Sequence, residues 1–570
     1  MTEMLENVDR DPDSTAGNTP ENTPKRSYAP LAANENREDY SLRFAAHSFR
    51  RWSPFVVATT ALGGIAYLAD FAIGASIMLS YGFTSGLLAI LAAAVIIFVT
   101  GVPIASACAK YGVDMDLLTR GAGFGYFGST LTSLVYASFT VIFFSLEGSI
   151  MGQAFKLALG IPLAAGYLLA TLIVLPFALY GMGAVAKMQT WTQPLWIAGL
   201  ILPFVVVAIR EPGKIGEFAS FGGTEGAGPG FSAIGFGLGM GVALSLIGQI
   251  GEQADYLRFM PEKTAENKRS WWAAVLAAGP GWVILGALKQ IGGGLLAFLA
   301  IGAVGKTAAL EPIAPYLEAV KPALGPVALT FAALFVVISQ IKINTTNAYS
   351  GSLSFANFFS RVLHRHPGRV WYVLVNCGIA LALMEFGAFG FLNKILGFYS
   401  NIAIAWIGAV CADLVIAKPL GLSPRYIEFK RAYLHKINPV GFGSMMIASA
   451  VSIAAYFGAF GTYLAAFSPL LALVIAIVGV PILAVLTKGK YYLARPNTVS
   501  GPDAEAPDLR ATHDCSVCGV AYELPDVADC AKQDAAICSL CCTLDSTCHD
   551  LCQDDGKAPV MLPMPTVRAG

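Results

Sequence analysis

Twelve runs of predominantly apolar residues dominate this chain, most of them close to the roughly 20 residues that a helix needs to cross a bilayer. They fall at 54–80, 84–107, 127–152, 160–181, 190–209, 230–251, 271–298, 323–344, 371–386, 395–417, 442–459 and 467–487. Gly292–Gly294 interrupts the seventh, and Asn344–Asn347 breaks the pattern at the end of the eighth. Charge is excluded from the same region: of 74 Asp, Glu, Lys and Arg residues, only 40 lie between residues 54 and 488. A soluble multi-domain enzyme, a disordered chain and a nucleic-acid binder are all disfavoured, and a net charge of zero names no polyanionic partner. What remains is a polytopic all-α protein of the bilayer with two polar tails.

Orientation follows from Lys and Arg in the connections. With the N-terminus inside, the inner segments carry 22 and the outer loops 6. Both termini are therefore expected in the cytoplasm, at the cell inner (plasma) membrane, with an even number of spans. Residues 1–40 are too polar to offset chain entropy and read as disordered, with no signal peptide. The following stretch to Trp52, carrying Arg43, Arg50 and Arg51, reads as an interfacial lead-in held by anionic lipid. The expected division is a transmembrane domain over 41–490, a linker over 491–512, a cysteine-rich module over 513–553 and a disordered end over 554–570.

Two spans combine glycines with polar groups at membrane depth. The first reads Leu62-Gly63-Gly64-Ile65-Ala66-Tyr67-Leu68-Ala69-Asp70-Phe71, the sixth Ile247-Gly248-Gln249-Ile250-Gly251-Glu252-Gln253-Ala254-Asp255-Tyr256. Each ends in Ala-Asp-aromatic, and the two are five spans apart. An odd number of spans per repeat inverts the second copy, so the pattern predicts a 5+5 inverted repeat with interrupted helices, as in secondary transporters. Lipid cannot satisfy the freed backbone groups; protein, water or a ligand must. Glu147 in the third span, Lys289 and Gln290 in the seventh and Ser339 to Asn347 in the eighth add polar side chains at depth. Pairing of Lys342 with Glu147 or Asp70 around a polar cavity is expected, the plainer reading being that such pairs hold the bundle together. For Asp255, Arg258 and Lys289, nearer span ends, the plainer reading is preferred.

These features resemble the nucleobase–cation symporter family, which includes cytosine, purine, allantoin and hydantoin permeases. The resemblance covers about 40–490, and its carriers are Gln249 through Asp255-Tyr256-Leu257-Arg258-Phe259, Asn344 through Tyr349 to Phe355-Ala356-Asn357, and Asn438-Pro439-Val440-Gly441. It implies the leucine-transporter fold, ten helices in two inverted repeats plus two more. It also implies a flat heterocycle between spans three and six. Glu147 falls where the family often has a ring-bonding Gln, Phe143 where it has a stacking Trp, and Leu246 where a second stacking aromatic is missing. Tyr67, Gln249, Glu252, Gln253 and Asn347 complete the implied substrate set, since Gln and Asn match donors and acceptors on a heterocycle edge. In the family, sodium is held by carbonyls of the broken first helix and hydroxyls of the eighth. Here that site maps to Gly63, Ala66, Asp70, Lys342 and Asn344, and the Lys342 ammonium is expected to replace the cation. Function is then sodium-independent, either proton-coupled or uncoupled.

Eight of the eleven cysteines fall within residues 515–552, as Cys515-x2-Cys518, Cys530, Cys538-x2-Cys541-Cys542, Cys548 and Cys552. Paired Cys-x2-Cys knuckles at this separation read as a structural zinc module, in preference to disulfides or an iron–sulfur cluster, because the tail is expected in the reducing cytosol. Cys515, Cys518, Cys538 and Cys541 suit one ion; Cys530, Cys542, Cys548 and Cys552, with His549 as a substitute, suit a second. Cys108, Cys377 and Cys411 read as packing residues. The tail around Ile537–Asp545 also resembles a segment that follows such transporter domains in some bacterial hybrid sensor kinases, so a cytoplasmic signalling partner is an expectation. The leading reading is a secondary transporter of a heterocycle by alternating access. Its alternative is a transporter-like sensor signalling through the tail. With no nucleotide-binding loop and no Ser-His-Asp grouping, an enzyme is not expected.

Overall fold

The computed structural model describes residues 42–225, 228–497, 499–500, 508–545 and 547–553. The disorder expected for 1–40 and 554–570, and part of the expected linker, lie outside the described residues. Each of the twelve apolar runs is helical. Nine helices among the described residues are long and apolar enough to cross a membrane, and a bent pair makes ten. Two more of 17 residues, Leu163–Leu179 and Arg369–Glu385, occupy the fourth and ninth runs.

The first span is the bent pair, α1 (Pro54–Gly63) and α2 (Ala69–Tyr81), which meet at 54°. Pro54 starts α1 where its missing N–H costs nothing, with Ser53 as cap. The first repeat continues with α3 (Phe83–Tyr111), α4 (Gly128–Leu159), α5 (Leu163–Leu179) and α6 (Met182–Arg210). Gly112 and Gly160, both left-handed, end α3 and α4. The second repeat begins with α7 (Ala233–Leu244) and α8 (Gln249–Leu257), followed by α9 (Lys268–Ala278) and α10 (Trp282–Ala309). After the short α11 (Ile313–Leu324) come α12 (Ala328–Leu363), α13 (Arg369–Glu385) and α14 (Leu392–Ala412). Two further spans, α15 (Pro439–Tyr456) and α16 (Ser468–Leu486), close the membrane part.

The packing obeys a two-fold relation between the repeats. Span one packs on span seven (α2 on α10), and span six on span two (α7 on α3). Spans three and eight (α4 and α12) lie along each other, as each would along its own symmetry mate. Glycines set the closeness of one of these contacts: a Cβ at Gly74 would sit 1.8 Å from the Gln290 carbonyl oxygen, and one at Gly293 2.4 Å from the Phe71 Cα. Gly292–Gly294 therefore does not break the seventh span; α10 runs through it. Asn344–Asn347 likewise sits inside the 36-residue α12.

The sixth span departs from expectation. Ser245–Gly248 tightens to a 3-10 turn without the sharp bend of the first span, and the flanking residues keep helical dihedrals. The expected pair of broken helices is thus one broken helix and one tightened helix.

The cysteine-rich tail is two hairpins and a helical turn. β1 (Thr512–Asp514) pairs antiparallel with β2 (Ala521–Glu523), and β3 (Val527–Cys530) with β4 (Ala535–Cys538), which leads into α17 (Ser539–Leu544). The tail packs on the chain's own loops and on its first described residues. Arg43 pairs with Asp526 at 2.6 Å and lies over the Tyr522 ring. Glu523 accepts the backbone N–H groups of His47 (2.7 Å) and Ser48 (2.9 Å). Arg50, also buried, donates to the Met260 and Ala109 carbonyls. The lipid-anchor reading is corrected for Arg43 and Arg50, since buried guanidinium groups need protein acceptors and have found them; of the three, only Arg51 is exposed.

Candidate functional site

The break in span one lies where Gly63-Gly64 allows close approach. Gly64–Ala66 is a 3-10 turn and Tyr67 is extended, so the carbonyls and amides around them leave the helical ladder. Protein side chains take these groups from both sides. The Lys289 ammonium donates to the carbonyls of Ile65 (2.6 Å) and Tyr67 (3.0 Å), and pairs with Asp70 at 2.9 Å. Gln290 donates to the other Asp70 oxygen at 2.9 Å. Lys289 also lies 3.8 Å from the Tyr67 ring centroid. At the N-terminal end of α2 the Glu147 carboxylate accepts two bonds, from Leu68 N–H (3.1 Å) and Ala69 N–H (3.0 Å). A carboxylate there meets the positive end of the helix dipole. The break therefore holds an ammonium on its carbonyls and a carboxylate on its amides, all buried.

Around this core lie most of the expected substrate residues. Gln249, Glu252 and Gln253 share one face of α8 at i, i+3 and i+4 spacing. Glu252 and the Tyr256 hydroxyl face Gly64: a Cβ built there would lie 3.4 Å and 3.1 Å from them. Asn347 donates to Asn344 (3.1 Å), which donates to the Phe144 carbonyl (3.2 Å) and so ties α12 to α4. Several of these side chains carry buried polar atoms with no hydrogen-bond partner among the described residues: Tyr67 Oη, Gln249 Nε2, Glu252 Oε2, Asn347 Oδ1 and both ends of Gln253. Buried polar groups are rarely left so. Phe143 packs on Phe139 with centroids 4.5 Å apart and the rings tilted by 36°, and Phe139 is the ring against Gly248 in the tightened part of span six.

The structure brings Lys342 elsewhere. Its ammonium donates to the Gln189 carbonyl (3.0 Å) and Thr192 Oγ1 (2.9 Å) of α6. Neither expected pair, Lys342 with Glu147 or with Asp70, forms. Gly63 packs on Gln189, one side chain away from Lys342. The lysine at the broken helix is Lys289, a charge whose place near a span end reads in the sequence as bundle packing. The Lys-Gln pair beside a glycine triplet was the available signal, because glycines there let α10 approach α2. Asp255 accepts from the Tyr136 hydroxyl at 2.9 Å, and Arg258 pairs with Asp114 at 3.6 Å. Both belong to a buried network at the feet of α4, α8 and α12, as the plainer reading expects.

A permease model described as acting on cytosine/purines, uracil, thiamine and allantoin matches residues 46–479. The chain belongs to this family. The permease is thus a secondary membrane transporter and not an enzyme. Among solved structures it resembles Mhp1, a nucleobase-cation-symport-1 family transporter, in a closed conformation with bromovinylhydantoin bound. The TM-score is 0.58 at 19% identity, covering 84% of this chain and 100% of that one. An inward-facing Mhp1 gives 0.57 at 18% identity, covering 84% and 98%. A Na+-coupled sialic acid symporter, outward-open with substrate, gives 0.52 at 13%, covering 80% and 93%. Among curated protein sequences none matches. These likenesses carry the leucine-transporter-like fold expected of the permease.

A second candidate site lies in its tail. The sulfur atoms of Cys515, Cys518, Cys538 and Cys541 lie within 4.8 Å of one another, all buried. Gly519, at φ +67°, turns the first knuckle, and the second opens α17. Backbone N–H groups of Cys538 and Cys541 point at sulfurs, 3.3 Å from Cys515 Sγ and 3.4 Å from Cys538 Sγ. Four converging thiols with amide donors to sulfur fit a tetrahedral metal.

Proposed function

We propose that this permease carries a flat, amide-edged heterocycle of the nucleobase class by alternating access, without sodium. One observation carries the substrate class. The buried, unpartnered polar atoms of Tyr67, Gln249, Glu252, Gln253 and Asn347 gather on α8, α12 and the broken span, beside the Phe139–Phe143 pair. Alternating donors and acceptors on a heterocycle edge would satisfy amides of both kinds, and aromatic rings suit its face. The bromovinylhydantoin named with Mhp1 is a ligand of that general shape.

Sodium independence is supported by the Lys289 ammonium on the carbonyls of Ile65 and Tyr67. The implied sodium site lies at Gly63 and Ala66, and Ile65 and Tyr67 flank Ala66, so a cation there would sit beside a charge of its own sign. Glu147, on the amides of Leu68 and Ala69, acts as the anion of the broken helix, and substrate meets it as a positioning group. Asp70, Glu147 and Lys289 are then the candidates for any proton that accompanies transport. The Lys and Arg asymmetry supports cytoplasmic termini in the plasma membrane, where reduced thiols at Cys515, Cys518, Cys538 and Cys541 hold a structural zinc ion.

The test is counterflow exchange of labelled cytosine, uracil, hypoxanthine and allantoin in proteoliposomes, with and without sodium. Exchange of one of them that ignores sodium is expected. Sodium-dependent exchange would overturn the reading of Lys289. A second reading, a transporter-like sensor, is favoured by the docking of the tail on the loops at the feet of the spans. Ligand binding without exchange would select it.

A further inference from the structure

The first metal centre uses four of the eight tail cysteines. The other four come from three separate places: Cys530 from the end of β3, Cys542 from α17, and Cys548 and Cys552 from the last described turn. All four line one small cavity of about 20 Å³. Among the described residues only the first set has all its sulfur atoms within 4.8 Å of one another; here a water-sized space separates them, and an ion at about 2.3 Å from each sulfur would draw the four inward.

The polar groups around this cavity leave sulfur as the available donor. Asp529 is held by Arg495 (2.7 Å) and the Tyr433 hydroxyl (2.7 Å). Asp545 is held by Lys532 at 3.0 Å, and Asp550 by Arg431 at 2.8 Å. The thiols of Cys548 and Cys552 make only long contacts, 3.6 Å to the Asp545 carbonyl and 3.9 Å to the Ala432 carbonyl. Between these two cysteines the chain takes an uncommon course: His549 and Asp550 have φ of +47° and +56°, consecutive left-handed residues that are not glycine. Such a curl persists only where the surroundings hold it. Arg431 holds it through Asp550, and the curl turns Cys548 and Cys552 toward the same cavity.

We infer that Cys530, Cys542, Cys548 and Cys552 form a second four-thiolate site for a zinc-class ion, set at the seam between the tail and the transporter. The seam position is visible in the wall of the cavity, which includes Arg431 and Ala432 of the loop before α15. Arg431 donates to the carbonyls of Cys542 (3.0 Å) and Asp545 (2.7 Å). Gln553 donates back to the carbonyls of Arg431 and Leu434, each at 3.0 Å. The same loop continues to His435 and Lys436, whose carbonyls accept from Tyr126 (2.9 Å) and Phe127 (2.6 Å) at the foot of α4. An ion in this cavity therefore braces the tail against the helix that carries Glu147. The inference does not depend on the transported compound.

The test is metal content of the full-length protein, purified anaerobically in detergent and measured by inductively coupled plasma mass spectrometry. Two zinc ions per chain are expected. Joint Cys548→Ser and Cys552→Ser substitution is expected to remove one, and joint Cys515→Ser and Cys538→Ser substitution the other. One ion per chain in the unaltered protein would overturn the inference, and so would two ions that survive loss of Cys548 and Cys552. Disulfides mapped among the four would overturn it too. Where the serine variant does not yield monodisperse protein, Cys552→His decides. It is expected to keep two ions and to move the absorption of the cobalt-loaded protein toward a mixed nitrogen–sulfur set; an unmoved cobalt spectrum counts against the site.

Discussion

Lys289 and Glu147 sit at opposite ends of the same gap in the backbone. The ammonium of one takes the carbonyls of Ile65 and Tyr67, and the carboxylate of the other takes the amides of Leu68 and Ala69. A helix interrupted inside a bilayer must have its loose backbone groups satisfied. Here two side chains from different spans do it, each placed against the helix end of opposite polarity.

Removing Lys289 alone should be costly. Lys289→Ala leaves Asp70 charged and buried with only Gln290 beside it, and breaking a buried pair costs about 3–5 kcal/mol. The joint Lys289→Met and Asp70→Asn change should recover much of that in detergent thermostability while exchange stays low. A single Lys289→Ala as stable as the parent would show that the pair does not hold the break.

Glu147→Gln exchanges a carboxylate that accepts two backbone bonds for an amide with one acceptor and an NH2 facing an N–H. Charge-assisted bonds of this kind are worth about 1.5–3 kcal/mol, so stability should fall within that range. Heterocycle affinity, measured by scintillation proximity, should fall with it. Unchanged affinity at reduced stability would confine Glu147 to the backbone.

Gly74→Ala should fail in packing. Its new methyl would meet the Gln290 carbonyl oxygen at 1.8 Å, and backbone cannot swing aside as a side chain can. Overpacking usually costs about 1–3 kcal/mol, and this contact carries the span that presents Lys289. Expression and monodispersity should drop, whereas Gly302→Ala, with open space around it, should behave as the parent.

Glu523 gives the docked tail a pH dependence. Burial works to raise its pKa, but the His47 ring and the amides of Ser48 and His47 prevail and hold it below the ordinary glutamate range. A depressed carboxylate stabilises the folded state above its unfolded pKa of about 4.3, and that contribution is lost as pH falls through the folded value. Protection of the His47 and Ser48 amides against hydrogen–deuterium exchange, taken relative to the intrinsic rate at each pH, should be high at neutral pH and fall in acid. Glu523→Gln should lower that protection at neutral pH; a variant with the parent's full pH profile would assign the effect to another group.

Much of this architecture is legible in the chain before any coordinates. The spans follow from hydropathy. The break follows from Gly63-Gly64 beside Asp70, where flexible backbone meets a charge that lipid rejects. The first four-cysteine set follows from two knuckles of fixed spacing. What stays hidden is contact over long separations. Lys289 lies 222 residues from Tyr67, so nothing local separates it from a charge at a span end. Arg50 looks like a lipid anchor until Met260, 210 residues on, offers its carbonyl. The sixth span shares its Ala-Asp-aromatic ending with the first, yet its glycines are absorbed by packing on Phe139 and Tyr136.

The grip of Glu523 and Asp526 on His47 and Arg43 also bears on biosynthesis. Arg43 and Asp526 are 483 residues apart in the chain. At about 5–20 residues per second of translation, the arginine waits roughly 25–100 s for its carboxylate. Every span has been made before the tail exists, so the loop that joins start to finish closes last. Membrane insertion and docking of the tail are therefore separate events in time. A ribosome-arrested chain ending before residue 512 should contain all twelve spans while its first residues still lack their partners.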